Sequence, residues 1–192
     1  MTRSLLSYAR QAVLNPCRLD LNSVFTDMQE MMWRLLPQNI KLEINMETDL
    51  WAIRADKSSV ENAILNLAIN ARDSMPDGGV ISIKTENAVL SEADGNAHQE
   101  TLEIAPYVVL ELTDTGTGIS EEIIHEVFTP YFTTKEAEKG SGLGLSMVHG
   151  FARQSGGGLR LNSKVGEGTT VKIFFPVTDI VMSNDREIMA AP

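Results

Sequence analysis

Asn62, Asn66 and Asn70 recur at every fourth position of Glu61-Asn62-Ala63-Ile64-Leu65-Asn66-Leu67-Ala68-Ile69-Asn70-Ala71-Arg72-Asp73. Residues four apart share one face of a helix, and Val60, Ala63, Ile64, Leu67, Ala68 and Ala71 form an apolar stripe beside them. Asparagine is a middling helix former, so a row of them lowers helicity and asks for a compensating role. Their amide oxygens are hard ligands suited to Mg2+, an ion that keeps waters and bridges to phosphates. A plain solvated helix face is the competing account of this segment taken alone.

Three further clusters follow in order. Asp114-Thr115-Gly116-Thr117-Gly118 comes directly after the apolar run Tyr107 to Leu112. Its glycines let backbone approach a flat ligand, and a carboxylate at a strand end can accept a hydrogen bond from an exocyclic amine such as adenine's. Guanine presents a carbonyl at that position and would leave the acceptor unpaired. Phe128-Thr129-Pro130-Tyr131-Phe132 sets aromatics on both sides of a proline turn, and the polar stretch Thr133 to Lys139 then carries Lys135 and Lys139. That is the composition of a movable lid over phosphates, and also of an ordinary surface loop. Gly140-Ser141-Gly142-Leu143-Gly144-Leu145-Ser146 opens a helical pattern, whose free N–H groups and dipole suit an anion. The spacing is neither that of a dinucleotide fingerprint nor that of a P-loop.

The elements that must position these clusters are legible from periodicity. Leu21, Val24, Phe25, Met28, Met31, Met32 and Leu35 predict a helix over 21–36. Alternation predicts a strand over 41–46, and Trp51-Ala52-Ile53 a second short one. A helix over 58–75 ends at Pro76-Asp77-Gly78-Gly79, and strands follow at 80–86 and 107–113 around a polar insertion from Asn87 to Ala105. Ser120 with Glu121 and Glu122 predicts a helix reaching Phe128. A last helix over 143–154 ends at Gly156-Gly157-Gly158, and strands at 159–164 and 169–175 close the fold. The pattern is that of an α/β (α+β) two-layer sandwich, one mixed sheet carrying its helices on one face. Residues 1–17 read as a lead-in, 18–177 as the domain and 178–192 as a tail or linker.

Composition narrows the function. The 192 residues hold 16 Lys plus Arg against 26 Asp plus Glu, and a net charge of −10 opposes the phosphate neutralisation that dominates nucleic-acid binding. No apolar run exceeds about five residues where a membrane span needs roughly 20, so no direct membrane contact is expected. A single cysteine, Cys17, permits no internal disulfide and points to a reducing, cytoplasmic setting.

Taken together and in this order, the four clusters resemble the catalytic, ATP-binding domain of two-component sensor histidine kinases. That domain has the Bergerat fold shared with DNA gyrase B, MutL and heat-shock chaperone ATPases. Residues 61–73 resemble its N box, 114–118 its first glycine box, 128–132 its F box and 140–144 its second glycine box; Asn70 to Gly79 is similar to the hybrid or nitrogen-regulation type.

The resemblance implies ATP and Mg2+ as cofactors, with Asn70 and Asn66 as metal ligands. It implies that Asp114 reads the adenine amine, with Gly116, Gly118 and Ile119 lining the base pocket and Phe128 and Phe132 flanking it. Gly140, Ser141, Gly142, Leu143 and Gly144 would hold the phosphates, and Lys135 and Lys139 the γ-phosphate. Where many kinases carry Lys or Arg three residues after the metal asparagine, this chain has Asp73, so the basic contact to the triphosphate must come from Arg72, the loop or nowhere. Asn66 stands where hydrolytic relatives carry a water-activating Glu, and an amide is no general base at neutral pH.

Transfer to an acceptor is therefore expected over hydrolysis. None of His98, His125 and His149 sits in the family's acceptor context, so the acceptor histidine is expected upstream, on the dimerisation domain of a longer parent. A response-regulator receiver domain is the further partner implied. A stand-alone ATPase, or a partner-docking domain that binds no nucleotide, are the alternatives.

Overall fold

The computed structural model describes residues 15–91, 102–135 and 140–177. The helical end expected over Ser4–Arg10, His98, Lys139 and the tail after Val177 lie outside the described residues.

Among the described residues, two sheets and three helices make up the architecture. Strands β1 (Cys17–Leu19) and β3 (Ile53–Ala55) pair antiparallel in a two-stranded ribbon. A five-stranded mixed sheet runs in the order β2-β4-β5-β7-β6, built from β2 (Ile40–Met46), β4 (Gly79–Val89), β5 (Pro106–Asp114), β6 (Gly158–Lys164) and β7 (Gly168–Pro176). Only β2 and β4 are parallel, as their crossover through helix α2 (Lys57–Asp73) requires; the other pairs are antiparallel.

One core lies between the large sheet and the helices. Leu21, Val24, Phe25, Met28 and Met32 of α1 (Leu21–Leu35) and Val60, Ala63, Ile64, Leu67, Ala68 and Ala71 of α2 pack with Val148, Phe151 and Ala152 of α3 (Gly144–Gln154). They meet the alternate residues Ile81, Ile83, Val108, Leu110, Leu112, Val171, Ile173 and Phe175 of the sheet. On the opposite face Tyr107, Val109, Phe174 and Leu90 form a small cluster, with Arg160 lying 5.0 Å over the Phe174 ring. Both long helices start at an aspartate N-cap: Asp20 accepts from the Asn22 N–H at 3.0 Å and Asp56 from the Ser59 N–H at 2.8 Å.

Three sequence expectations need correction. Residues 121–128 form successive turns rather than a helix, with N–H bonds from Ile123 to the Ser120 carbonyl, Glu126 to Ile123 and Thr129 to Glu126. The β-branched Ile123, Ile124 and Val127 favour such three-residue closures over a regular helix, while Ile124, Val127 and Phe128 pack on the core. The strand placed at Trp51 begins at Ile53, because the Trp51 N–H donates to the Asn87 side-chain oxygen at 2.9 Å instead of to a strand partner. Asn87 itself pairs with Val108 within β4, which runs on to Val89, so Asn87 to Val89 lie outside the expected insertion. The third is β1, too short for alternation to reveal, which places a second sheet beside the single one expected.

Candidate functional site

The C-terminal end of β5, the C-terminal end of α2 and the start of β7 converge on Asp114. Its register partners are Ile81 and Thr169, and strand parity sends its side chain to the helix-bearing face with Leu110 and Leu112. There it is 5% exposed, and Asp114 Oδ1 accepts from the Gly116 N–H at 2.8 Å and from the Ser74 hydroxyl at 3.1 Å. Burial raises the Asp114 pKa above the ordinary carboxylate value, against the pull of these donors. A carboxylate offers about four acceptor sites, so these two donors leave room for another. Ser74 is the member of this end that the sequence did not single out; only the fold brings it to Asp114.

Close approach explains the glycines. A Cβ on Gly116 would stand 2.1 Å from Ser74 Oγ, and one on Gly118, where φ is +68°, would stand 2.1 Å from the Lys164 carbonyl oxygen. Ile119 donates its N–H to Ser163 Oγ at 2.8 Å, tying this segment to β6. Phe128 stacks on His149 of α3 with centroids 4.9 Å apart, and Phe132 is half-buried.

A second group of residues gathers where α2 faces the start of α3. A Cβ on Gly144 would meet Asn70 Nδ2 at 3.4 Å, Asn66 Oδ1 at 3.5 Å and Asn70 Oδ1 at 3.8 Å, so both carboxamides turn towards the first turn of α3. Neither makes a side-chain hydrogen bond among the described residues, whereas Asn62, of the same row, is solvent-exposed. Leu143 caps α3 without any side-chain hydrogen bond, so the helix's leading N–H groups have no cap acceptor. Gly142, at φ +66°, lies under the Tyr131 and Phe132 backbone and accepts the Tyr131 N–H at 2.9 Å. Ser141 Oγ accepts the Leu143 N–H at 3.4 Å. Gly140 lies beside the Lys135 chain, 3.2 Å from its Cδ to a built Cβ, and Lys135 Nζ donates to Asp73 Oδ2 at 2.7 Å.

Helix α2 thus carries two polar groups, a buried carboxylate beside glycines at its C-terminal end and, along its length, amides that face the uncapped start of α3. Residues 55–179 match the family described as histidine kinase-, DNA gyrase B- and HSP90-like ATPases. The chain belongs to that ATPase family. Among its relatives, the sensor kinase CckA of Brucella abortus (strain 2308) is 46% identical over 92% of this chain and 18% of its own length. The sensor histidine kinase ZraS of Escherichia coli (strain K12) is 32% identical over 83% of this chain and 30% of its own length. The chain thus spans less than a third of either relative.

Solved histidine kinase structures share the fold. A mycobacterial sensor histidine kinase, MprB, superposes with a TM-score of 0.63 at 25% identity, covering 85% of this chain and 97% of that one. The catalytic domain of histidine kinase ThkA gives 0.62 at 23% identity, covering 85% and 96%. Among the described residues, no helix is long and apolar enough to cross a membrane.

Proposed function

We propose that this chain binds Mg-ATP and presents the γ-phosphoryl group to a histidine on the dimerisation domain of a sensor kinase. The observation that carries the reading is the pair of unengaged carboxamides, Asn66 and Asn70, turned towards the uncapped start of α3. An anion held by those N–H groups lies beside oxygens that suit a hard cation. Bound Mg2+ would neutralise phosphate charge and orient the chain of phosphates.

The residues' own work is recognition and positioning. Asp114 accepts the adenine amine, held in place by Gly116 and Ser74; Gly118 and Ile119 fix the adjoining wall to β6, and Phe128 and Phe132 pack at its edge. Gly140, Ser141, Gly142, Leu143 and Gly144 bring backbone donors to the phosphates, and Lys135 directs a cation at their end; Lys139 is a second candidate for that role. Such positioning accounts for most of the catalysis in phosphoryl transfer, which asks little covalent help of the protein. Asn66 supplies no base for water, so transfer to an acceptor is favoured over free hydrolysis. A receiver domain would then take the phosphoryl from histidine, and the setting is the cytoplasm.

The test mixes the chain with γ-labelled ATP, Mg2+ and a separately prepared, histidine-bearing dimerisation domain of a sensor kinase. Acid-labile label on that domain's histidine supports the proposal. Rapid phosphate release without any acceptor contradicts it and identifies a stand-alone ATPase.

A further inference from the structure

Asp73 breaks a local rule. It stands in the last turn of α2, where the helix's partial negative charge disfavours a carboxylate. Partial burial would raise its pKa, yet pairing with Lys135 and Arg72 holds it below the ordinary value. Oδ1 accepts from Arg72 Nε at 2.9 Å and Nη2 at 2.8 Å, while Oδ2 takes Lys135 Nζ at 2.7 Å. Arg72 is the sequence neighbour, but Lys135 comes from 62 positions away, and its aliphatic stem passes Gly140. The Asp73 and Lys135 side chains are 24% and 34% exposed, so the pair is partly withdrawn from screening by solvent.

Resting on the ATP-binding reading and deepening it, we propose that Asp73 is a positioning residue. It gathers the Lys135 ammonium from a distant loop to the triphosphate end of the site, one helical turn beyond Asn70. Charge counting and positioning predict opposite signs here. Replacing Asp73 with Asn removes a negative charge beside a polyanion, which by Coulomb's law alone tightens ATP binding. If the carboxylate's work is to hold Lys135, the same change weakens it.

The experiment titrates ATP and ADP, at fixed Mg2+, into the native chain, Asp73→Asn, Lys135→Ala and the double variant. Asp73→Asn and Lys135→Ala should each weaken ATP about fivefold or more, with ADP changed much less. The double variant should be no weaker than Lys135→Ala alone, because the two residues act as one unit. Asp73→Glu, which keeps the charge, should retain most of the affinity, and it serves as the readout if Asp73→Asn fails to fold. Asp73→Asn binding ATP as tightly as the native chain, or equal losses for ATP and ADP, would overturn the inference. So would Asp73→Glu losing as much ATP affinity as Lys135→Ala. A native chain that binds neither nucleotide would instead remove the ATP-binding reading beneath it.

Discussion

The Ser74 hydroxyl donates to Asp114 Oδ1 at 3.1 Å across 40 positions of sequence, joining the end of α2 to the end of β5. The same hydroxyl lies 2.8 Å from the Ala71 carbonyl, so the helix terminus itself aims the carboxylate. This contact makes the helix that carries Asn66 and Asn70 the ruler for the whole site. At 1.5 Å rise per residue, Asn66 to Ser74 spans about 12 Å along one helix.

Base selectivity follows from Asp114. ATP should bind at least tenfold tighter than GTP, since a guanine carbonyl facing a buried carboxylate leaves the acceptor unpaired. Competition of the two nucleotides for one fluorescent ATP analogue measures the ratio.

The pH dependence has a defined sign. Asp114 must be ionised to accept the amine, and burial raises its pKa, so ATP affinity should begin to fall at a higher pH than an ordinary carboxylate near 3.9 would give. Asp114→Asn should flatten that acid limb. Stability runs the other way. Folded Asp114 holds its proton more tightly than unfolded, so its contribution is full below the unfolded value and lost as pH rises through the folded one. Thermal melts of both proteins between pH 4 and 7 should therefore show the native chain losing ground to Asp114→Asn as pH rises.

Gly144→Ala separates folding from binding. The added methyl finds only ordinary contacts, at 3.4 Å and beyond, and alanine suits a helix better than glycine, so the melting temperature should hold or rise. That methyl occupies the space between the two carboxamides and the start of α3, and ATP affinity should fall about tenfold. Melting and titration of one preparation check both halves.

Asp56 caps α2 from outside the site, accepting from Ser58 Oγ at 2.7 Å, Ser59 N–H at 2.8 Å and Asn15 N–H at 3.0 Å. Asp56→Ala should cost about 1 kcal/mol in urea unfolding, with nucleotide affinity unchanged for the folded protein. The bonds hold the Asp56 pKa well below the usual range. Its stabilisation is therefore present above the unfolded value near 3.9 and is lost as pH falls towards the folded one.

Much of this was legible from spacing. The stripes on α1 and α2, the alternation of β2, the apolar run of β5 and the order of the four polar clusters are all written directly into the chain. Other features depend on contacts between distant residues. Asn87 redirects the Trp51 N–H, β1 is defined only by its pairing with β3, and Ile123, Ile124 and Val127 read as helix by apolar spacing yet close three-residue turns. The same limit hid Ser74, whose role appears only once the end of α2 meets the end of β5. The sequence did flag Asp73 as a departure, and the fold supplied Lys135 as its partner.

Binding of Mg-ATP is the claim on which the rest depends, and calorimetric titration of ATP with and without Mg2+ into the native chain and Asp114→Asn tests it most directly. The account predicts Mg2+-dependent binding by the native chain, weakened at least tenfold in the variant through loss of a charged acceptor. No binding by the native chain would contradict it, and equal binding by the two proteins would remove Asp114 as the reader of the base.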